Sequence, residues 1–283
     1  MAKIALVTDS TAYIPADLVE KYHITVAPLI LIWGQEMFED GVSIMPGEFY
    51  TRMKGATVMP TSSQVTVSKF QQIYEGLLDQ DYEILTMVIS SKLSGTLNSA
   101  VQARESLPAG APIQIVDTNA TAMAMGFQVL SVARAIEQGA SMQECLALAE
   151  QAQQCSGIVF AVDTLEFLHR GGRIGGGSRF LGTALNIKPI LHLRDGKVDA
   201  LERVRTRKKS LARLIELVEE RVDGQKPVRL AAVHANAAQE AQDLLKQATA
   251  RLGAAESILG DVSPVVGTHA GPGVVGLSYM YGM

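Results

Sequence analysis

Short apolar runs alternate with amphipathic segments over the first half of the chain. The intervening segments repeat their apolar residues at helical spacing, as Phe70, Ile73 and Leu77 do. The apolar runs, which have the length of buried strands, are residues 3–7, 24–33, 84–89, 112–116 and 157–162. This alternation predicts an N-terminal α/β domain over residues 1–162, in which helices cover a parallel sheet in a three-layer α/β/α arrangement.

The pattern changes after residue 163. A short helix leads into a loop that contains five glycines, and the last part of the chain, residues 267–273, is predicted to be a turn-rich loop that holds His269. Between them we expect a hairpin of residues 188–193 and 197–204, a helix up to residue 222, a strand at 228–233 and a helix at 237–252. These elements predict a smaller C-terminal α/β domain over residues 163–283.

Polar side chains follow four of the predicted strands at the point where each strand ends. They are Thr8, Asp9 and Ser10, then Ser90 and Ser91, then Asp117 and Thr118, and finally Asp163 and Thr164. Ligands of open parallel sheets bind at the carboxyl ends of the strands, so this pattern favours a binding site there. The alternative is that strand ends need turn formers and helix caps.

The clearest candidate site is the passage from the strand at residues 84–89 into the next helix. The chain turns through Ser94, Gly95 and Thr96, so free backbone N–H groups and the positive end of a helix dipole meet side-chain hydroxyls. This combination predicts a pocket for a carboxylate or a phosphate. Helix capping by Ser94 or Thr96 alone is the other interpretation.

Composition narrows the classes of function. The 283 residues are 47% hydrophobic with a formal net charge of −4, which favours a soluble protein with a large core and gives no electrostatic reason to expect nucleic acid. Cys145 and Cys155 are too few for a disulfide framework or a metal cluster. The N-terminus lacks the apolar core of a signal peptide, and Pro28 interrupts the longest apolar run, so we expect a cytoplasmic protein.

Two enzyme classes are alternatives to a binding protein, namely a serine hydrolase and a kinase in a single chain. A serine hydrolase would use Ser94 as nucleophile and His269 as base, with Asp9 or Asp117 to orient the histidine. The residues around Ser94 lack the first glycine of a nucleophile elbow, which disfavours this reading. The glycine-rich loop has neither the Gly-Lys-Ser/Thr of a phosphate loop nor the third glycine of a dinucleotide fingerprint, so ATP and NAD sites are unsupported.

Seven motifs, in order along the chain, resemble the DegV family of bacterial fatty-acid-binding proteins. They are residues 7–11, 60–64, 89–99, 163–174, 188–191, 203–209 and 268–273. The resemblance implies two α/β domains with a long-chain fatty acid between them. It further implies a non-enzymatic subunit, without cofactor or metal, that presents the carboxylate to a separate ATP-dependent fatty acid kinase subunit for acyl phosphate formation.

The resemblance also implies which residues hold the headgroup, with residues 267–273 returning to the ligand. The implied ligand-binding residues are Thr61, Ser62, Ser63, Ser94, Gly95, Thr96, Arg170 and His269. Two positions depart from the family pattern. Val65 replaces a proline, which is expected to loosen its loop, and Ala270 replaces a threonine, which removes one donor beside His269.

A basic segment follows the predicted hairpin. Arg203, Arg205, Arg207, Lys208 and Lys209 place five positive charges in seven residues. If residues 203–207 were extended, strand alternation would put the three arginines on one face. We predict that Arg203, Arg205 and Arg207 contact acidic groups of the kinase subunit or anionic lipid headgroups, and the alternative is an ordinary solvated connection.

Overall fold

The computed structural model describes residues 3–180 and 187–283. Its strands, in chain order, are β1 (Lys3–Asp9), β2 (Thr25–Ala27), β3 (Ile30–Trp33), β4 (Glu36–Glu39), β5 (Thr61–Ser63), β6 (Tyr82–Val88), β7 (Ile113–Asp117), β8 (Ser156–Ala161), β9 (Lys188–Arg194), β10 (Lys197–Val204), β11 (Val228–His234), β12 (Glu256–Asp261) and β13 (Val275–Tyr281). The α-helices are α1 (Ala16–Lys21), α2 (Pro46–Met53), α3 (Val67–Leu78), α4 (Thr96–Glu105), α5 (Ala122–Glu137), α6 (Met142–Gln154), α7 (Glu166–Arg170), α8 (Arg207–Val222), α9 (Ala238–Leu252) and α10 (Pro264–Ala270). Two 3-10 helices cover Ser10–Ala12 and Gly175–Phe180.

The first sheet contains four parallel strands in the order β2-β1-β6-β7. The apolar runs of β1 and β6 are buried, because α3 and α4 pack on the sheet at β6 and β7 and α5 packs against β1. The prediction of an α/β fold with a parallel N-terminal sheet is therefore confirmed. The carboxyl ends of these strands, with the polar residues that follow them, face the second half of the molecule.

The second sheet contains six strands in the order β10-β9-β8-β13-β11-β12. All of its pairings are antiparallel except that of β11 with β12. The expectation that residues 157–162 extend the parallel sheet is wrong, because β8 pairs with β9 and β13 instead. A single apolar run does not specify its partner strands, which in this case come from later in the chain. The domain boundary at residue 162 stays a prediction.

The expected single strand at residues 24–33 is two strands in different sheets. Pro28 and Leu29 separate β2, which joins the first sheet, from β3, which lies at the centre of a three-stranded antiparallel sheet with β4 and β5. Proline has no N–H to donate to a ladder, so the strand ends before it. The small sheet carries Ser62 at the middle of β5.

The core is continuous from the first sheet to one face of the second. One apolar cluster joins β1 and β6 through α5 to Phe160 of β8 and Val233 of β11. A second cluster lies on the other face, where Val159 and Ala161 of β8 pack with α8 and α9. Helices and the first sheet thus enclose the second sheet on both faces, and the space between the two sheets is where a ligand can be enclosed.

The predicted hairpin of β9 and β10 is confirmed, and its turn rests on the first sheet. The Ser90 hydroxyl, just after β6, donates a 2.8 Å hydrogen bond to the carbonyl of Gly196 in the turn. Gly196 has a φ of +75°, and an added Cβ atom would lie 2.2 Å from the Ser90 Oγ. A glycine is needed here both for backbone conformation and for this close approach.

We expect Gly196→Ala to lower the free energy of unfolding by about 2–4 kcal/mol, because it adds a clash with Ser90 to the strain of a positive φ. The matched control is Gly34→Ala, since Gly34 has a φ of +64° with no atom within 4 Å of its would-be Cβ. That variant should lose only about 1 kcal/mol, the cost of the left-handed backbone. Urea unfolding measures both, and equal losses would show that the hairpin does not depend on its contact with Ser90.

Candidate functional site

A cavity lies between the carboxyl ends of the first sheet and the face of the second sheet. Its space, including the open mouth, is about 930 Å³. Most of its wall is apolar and comes from both halves of the chain, including Leu29, Ile89, Phe160, Val233, Val265 and Val274. A mostly apolar lining with a few polar side chains is typical of a site for a small apolar ligand.

Helix α10 forms one wall of the cavity and carries His269. The predicted turn-rich loop at residues 267–273 is therefore partly wrong, because residues up to Ala270 are helical. The helix starts with Pro264 at its first position and ends before Gly271, which has a φ of +79°. Proline at a helix start and glycine after its end are ordinary helix boundaries, and this signal was present in the sequence.

Three hydrogen bonds hold α10 to the small sheet and to α2. The Val265 N–H donates to the Asp40 carboxylate at 3.1 Å, and the Tyr50 hydroxyl donates to the Val262 carbonyl at 3.0 Å. The Ser62 Oγ lies 2.6 Å from the His269 Nε2. The Ser62 and His269 side chains, predicted from separate motifs, are therefore in direct contact at the cavity wall.

Burial determines the charge of His269. Desolvation first, and the positive charge of Arg173 second, lower the pKa of His269 to about 4, so the imidazole is neutral near pH 7. Its Nδ1 atom is buried and has no hydrogen-bond partner among the described residues. Gly171 permits this packing, since a Cβ atom at that position would lie 2.1 Å from Nδ1.

The Ser-Gly-Thr turn lies next to the loop that follows β5. The Ser94 Oγ lines the cavity, lies 2.9 Å from the Thr96 Oγ1 and accepts a bond of 3.3 Å from the Thr96 N–H. The N-cap residue of α4 is Gly95, which has no side chain to cap it, so neither Ser94 nor Thr96 is the capping residue, and Ser94 lines the ligand space instead. Thr96 is fully buried, and Gln64 packs against Gly95.

Val65 is tied to this turn. Its N–H donates to the Thr96 Oγ1 at 3.4 Å, a bond that proline has no N–H to make, and its side chain is buried. The loop after β5 is therefore attached to the start of α4 at this point. Ser62, Ser63 and Gln64 all line the cavity as a result, whereas Thr61 faces a second depression outside it.

This second depression, which we call the outer basin, adjoins the polar end of the cavity. Ser62, Arg173 and His269 line both spaces, while Thr61 and Arg170 line only the outer basin. Arg170 forms an ion pair with Glu166, and its side chain is about half exposed (48%). The structure therefore separates Arg170 from the cavity that holds Ser94.

Arg173 is the site residue that the sequence-based assignment missed. Its Nε donates to the Leu93 carbonyl at 3.0 Å, and an Nη donates to the Gly171 carbonyl at 2.8 Å. These bonds hold the guanidinium at the junction of the cavity and the outer basin. The only signal in the sequence was its place in the same glycine-rich loop as Arg170.

The geometry does not assemble a serine hydrolase. His269 pairs with Ser62, and Asp9 instead accepts hydrogen bonds from Thr11 and from the Ile89 N–H. Asp117 accepts bonds from the Ser91 and Asn119 N–H groups. Neither aspartate orients the histidine, which a triad requires.

The basic segment does not form one extended face. Strand β10 ends at Val204, and Arg207 is already the first residue of α8. Arg207 donates two hydrogen bonds, of 3.0 and 2.6 Å, to Glu240, and Arg203 stacks on the Phe180 ring. The prediction that strand alternation aligns the three arginines is wrong, because the Thr206 cap begins a helix between them. Arg205 remains exposed.

Within residues 3–180 and 187–283, no group of histidine, cysteine and acidic side chains is arranged to hold a metal ion. None of the helices in the same ranges combines the length and the apolar character needed to span a membrane.

Comparison with known proteins identifies relatives over the whole chain. The family model described as "Uncharacterised protein, DegV family" matches residues 3–282. A DegV domain-containing protein of Streptomyces coelicolor is 36% identical over 276 residues, which cover 97% of each protein. A Thermus thermophilus structure, described as fatty acid binding of a DegV family protein, aligns with a TM-score of 0.94 and 33% identity over 99% of both chains. DegV of Bacillus subtilis, described as a fatty acid binding protein, aligns with a TM-score of 0.90 and 32% identity over 99% of this chain and 100% of that chain.

The lowered pKa of His269 predicts a specific pH dependence of stability. This histidine has a pKa of 6.5 in the unfolded chain but of about 4 in the folded protein. Its contribution to the stability of the fold is therefore complete above pH 6.5 and is lost as the pH falls toward 4. When the pH falls from 7 to 5, the free energy of unfolding of the ligand-free wild type should therefore fall by about 1–2 kcal/mol more than that of ligand-free His269→Gln.

Urea unfolding at several pH values measures this difference. Other buried groups, among them Asp40 and His192, titrate in or near the same window, but they are present in both proteins and cancel in the comparison. Burial raises the pKa of Asp40 to about 6, and burial followed by the charges of nearby arginines lowers the pKa of His192 to about 4. The same pH slope in wild type and variant would mean that His269 is not held neutral by its site.

Proposed function

The chain belongs to the DegV family, and from this membership and the cavity we propose that it binds a long-chain fatty acid. We further propose that it presents the carboxylate to a separate ATP-dependent kinase subunit, which forms an acyl phosphate. The observation that supports the first proposal most is that Ser62, Ser94, Arg173 and His269 line a cavity whose wall is mostly apolar.

The apolar wall matches the chemistry of an acyl chain. Burial of about 14 methylenes at about 0.8 kcal/mol each would contribute at most about 11 kcal/mol before entropic losses. Ordering the flexible chain opposes binding, but the remainder suffices for a stable complex. A ligand with a polar chain would leave donors and acceptors unpaired against this wall.

In the proposed complex, hydroxyl groups and one cation share the carboxylate. In this complex the neutral His269 carries its proton on Nε2 and donates it to the Ser62 Oγ. The Ser62 hydroxyl proton is then available to donate to the ligand carboxylate. The Ser94 hydroxyl adds a second donor. Arg173 supplies the positive charge, which makes such hydrogen bonds stronger than neutral ones.

The outer basin is the proposed route for phosphoryl transfer. It shares Ser62, Arg173 and His269 with the cavity, so a carboxylate bound there would have one side toward the outer basin. Arg170 and Arg173 would then flank the growing negative charge of the acyl phosphate. The partner supplies ATP in this scheme.

We expect Ser62→Ala and Ser94→Ala each to weaken palmitate binding by about 1–2 kcal/mol, the scale of one hydrogen bond to a charged group. Ser63→Ala is the matched control and should have the smaller effect. Isothermal titration calorimetry of delipidated protein measures the three variants. Palmitate should also raise the melting temperature of the wild type, because it binds only the folded state.

Two results would count against this account. Unchanged affinity in both Ser62→Ala and Ser94→Ala would remove the headgroup assignment and leave lipid binding intact. If neither saturated nor unsaturated fatty acids of ordinary membrane chain length raise the melting temperature, the proposal of a lipid ligand is wrong.

Kinase docking is proposed for the exposed part of the basic segment. Arg203, Arg205, Lys208 and Lys209 are exposed, whereas Arg207 is paired with Glu240 and is left out of the proposed contact. Exposed charges at the rim of an interface act mainly on the rate of association. An acidic surface of the kinase subunit would be complementary to these exposed side chains.

Arg205→Glu should therefore slow acyl phosphate formation with the kinase at low salt and leave lipid content and melting temperature unchanged. Added salt should shrink the difference, because screening weakens the contact that the mutation damages. The control is Lys246→Glu, which makes the same charge change at an exposed position on α9. If the two variants behave alike in coupled turnover, the basic segment is an ordinary surface.

A further inference from the structure

A row of paired residues crosses the middle of the second sheet where it faces the cavity. Gly276 of β13 lies opposite Phe160 of β8 on one side and opposite Val233 of β11 on the other. Directly paired residues of antiparallel strands point to the same face. Val233 is paired in turn with Gly260 of the edge strand β12, so the two glycines belong to the same row.

Gly276 lines the cavity but has no backbone reason to be glycine. It is absent from the glycines with positive φ, so its conformation is open to other residues. Glycine in the interior of a strand is destabilising, and it often marks a place where another group approaches the backbone closely. The explanation for Gly276 therefore lies in what surrounds it.

Three apolar side chains close around the position. A Cβ atom added at Gly276 would lie 3.1 Å from a Val233 methyl, 3.2 Å from the Ile158 Cδ1 and 3.3 Å from the Phe160 Cβ. All three side chains also line the cavity. A methyl group at residue 276 would have to displace them, and the space available on one side of them is the cavity.

We propose that Gly276 determines how long an acyl chain the cavity accepts, an inference that rests on the proposed function. The neighbours of Gly276 are all hydrocarbon, so the part of the ligand that it contacts is methylene rather than carboxylate. The polar side chains that line the cavity come from other elements, and none of them belongs to β8, β11 or β13. A side chain at residue 276 would narrow the part of the cavity that holds the distal methylenes of the acyl chain, and it would leave the contacts of the carboxylate intact.

The test compares Gly276→Ala with Gly260→Ala in delipidated protein. Gly260 is in the same row, but no atom lies within 4 Å of its would-be Cβ, so its alanine variant changes a strand glycine without narrowing the cavity. Calorimetry with palmitate and with decanoate gives both dissociation constants. For Gly276→Ala we expect that of palmitate to rise about tenfold, the loss when one or two methylenes no longer fit. The dissociation constant of decanoate should change by less than about threefold, because a change of that size corresponds to less than one methylene.

Val233→Ile is a second variant that extends a side chain into the same part of the cavity. It should weaken palmitate binding more than decanoate binding, and it serves as the test if Gly276→Ala fails to fold. Parallel weakening of both acids, or unchanged affinity for both, would overturn the inference. A wild type that binds neither acid would instead contradict the proposed function. Gly260→Ala should match the wild type for both acids.

Discussion

The attachment of α10 to the small sheet is the constraint on which the site depends. Asp40, Tyr50 and Ser62 each bond to α10 or to the residues just before it, and these contacts join parts of the chain more than 200 positions apart. Without them, Val265, Val266 and Ala270 would not form a wall of the cavity. The same attachment brings His269 to Ser62, so the cavity wall and its polar end are positioned together.

Asp40 shows that this attachment has a cost in free energy. Its carboxylate is almost fully buried and accepts hydrogen bonds from the Ser10 hydroxyl and the Val265 N–H. Burial outweighs these bonds and raises the pKa to about 6, so the ionised form present at neutral pH is less stable than it would be in water. His269 is similarly taken out of water, but it remains neutral and loses less. The site therefore combines buried polar groups that are held by few partners with a large apolar wall that provides the compensating stability.

Local sequence patterns predicted the parts that depend on near neighbours. The run at residues 84–89 became β6, the Ser94–Thr96 turn became the start of α4, and the hairpin of β9 and β10 formed as expected. The parallel first sheet also followed from the alternation of strands and helices. In each case the decisive contacts lie within one supersecondary unit.

Several of the errors depend on distant contacts. Arg173 acquires its position from the Leu93 carbonyl, 80 residues away, which no local pattern encodes. Strand β8 looked like another parallel strand because its partners, β9 and β13, lie later in the chain. The crowding around Gly276 arises only because β8, β11 and β13 lie side by side in the sheet. Other errors had local causes. Pro264 and Gly271 marked the ends of the helix at His269, Pro28 divided the strand expected at residues 24–33, and the Thr206 cap began a helix within the basic segment.

Native mass spectrometry of the protein purified from bacteria, followed by lipid extraction of the same sample, tests the central claim most directly. The account predicts one bound molecule per chain, with the mass of a long-chain fatty acid, which is released on denaturation and recovered in the extract. A protein that carries no such molecule, and acquires none after incubation with palmitate or oleate, would contradict the account.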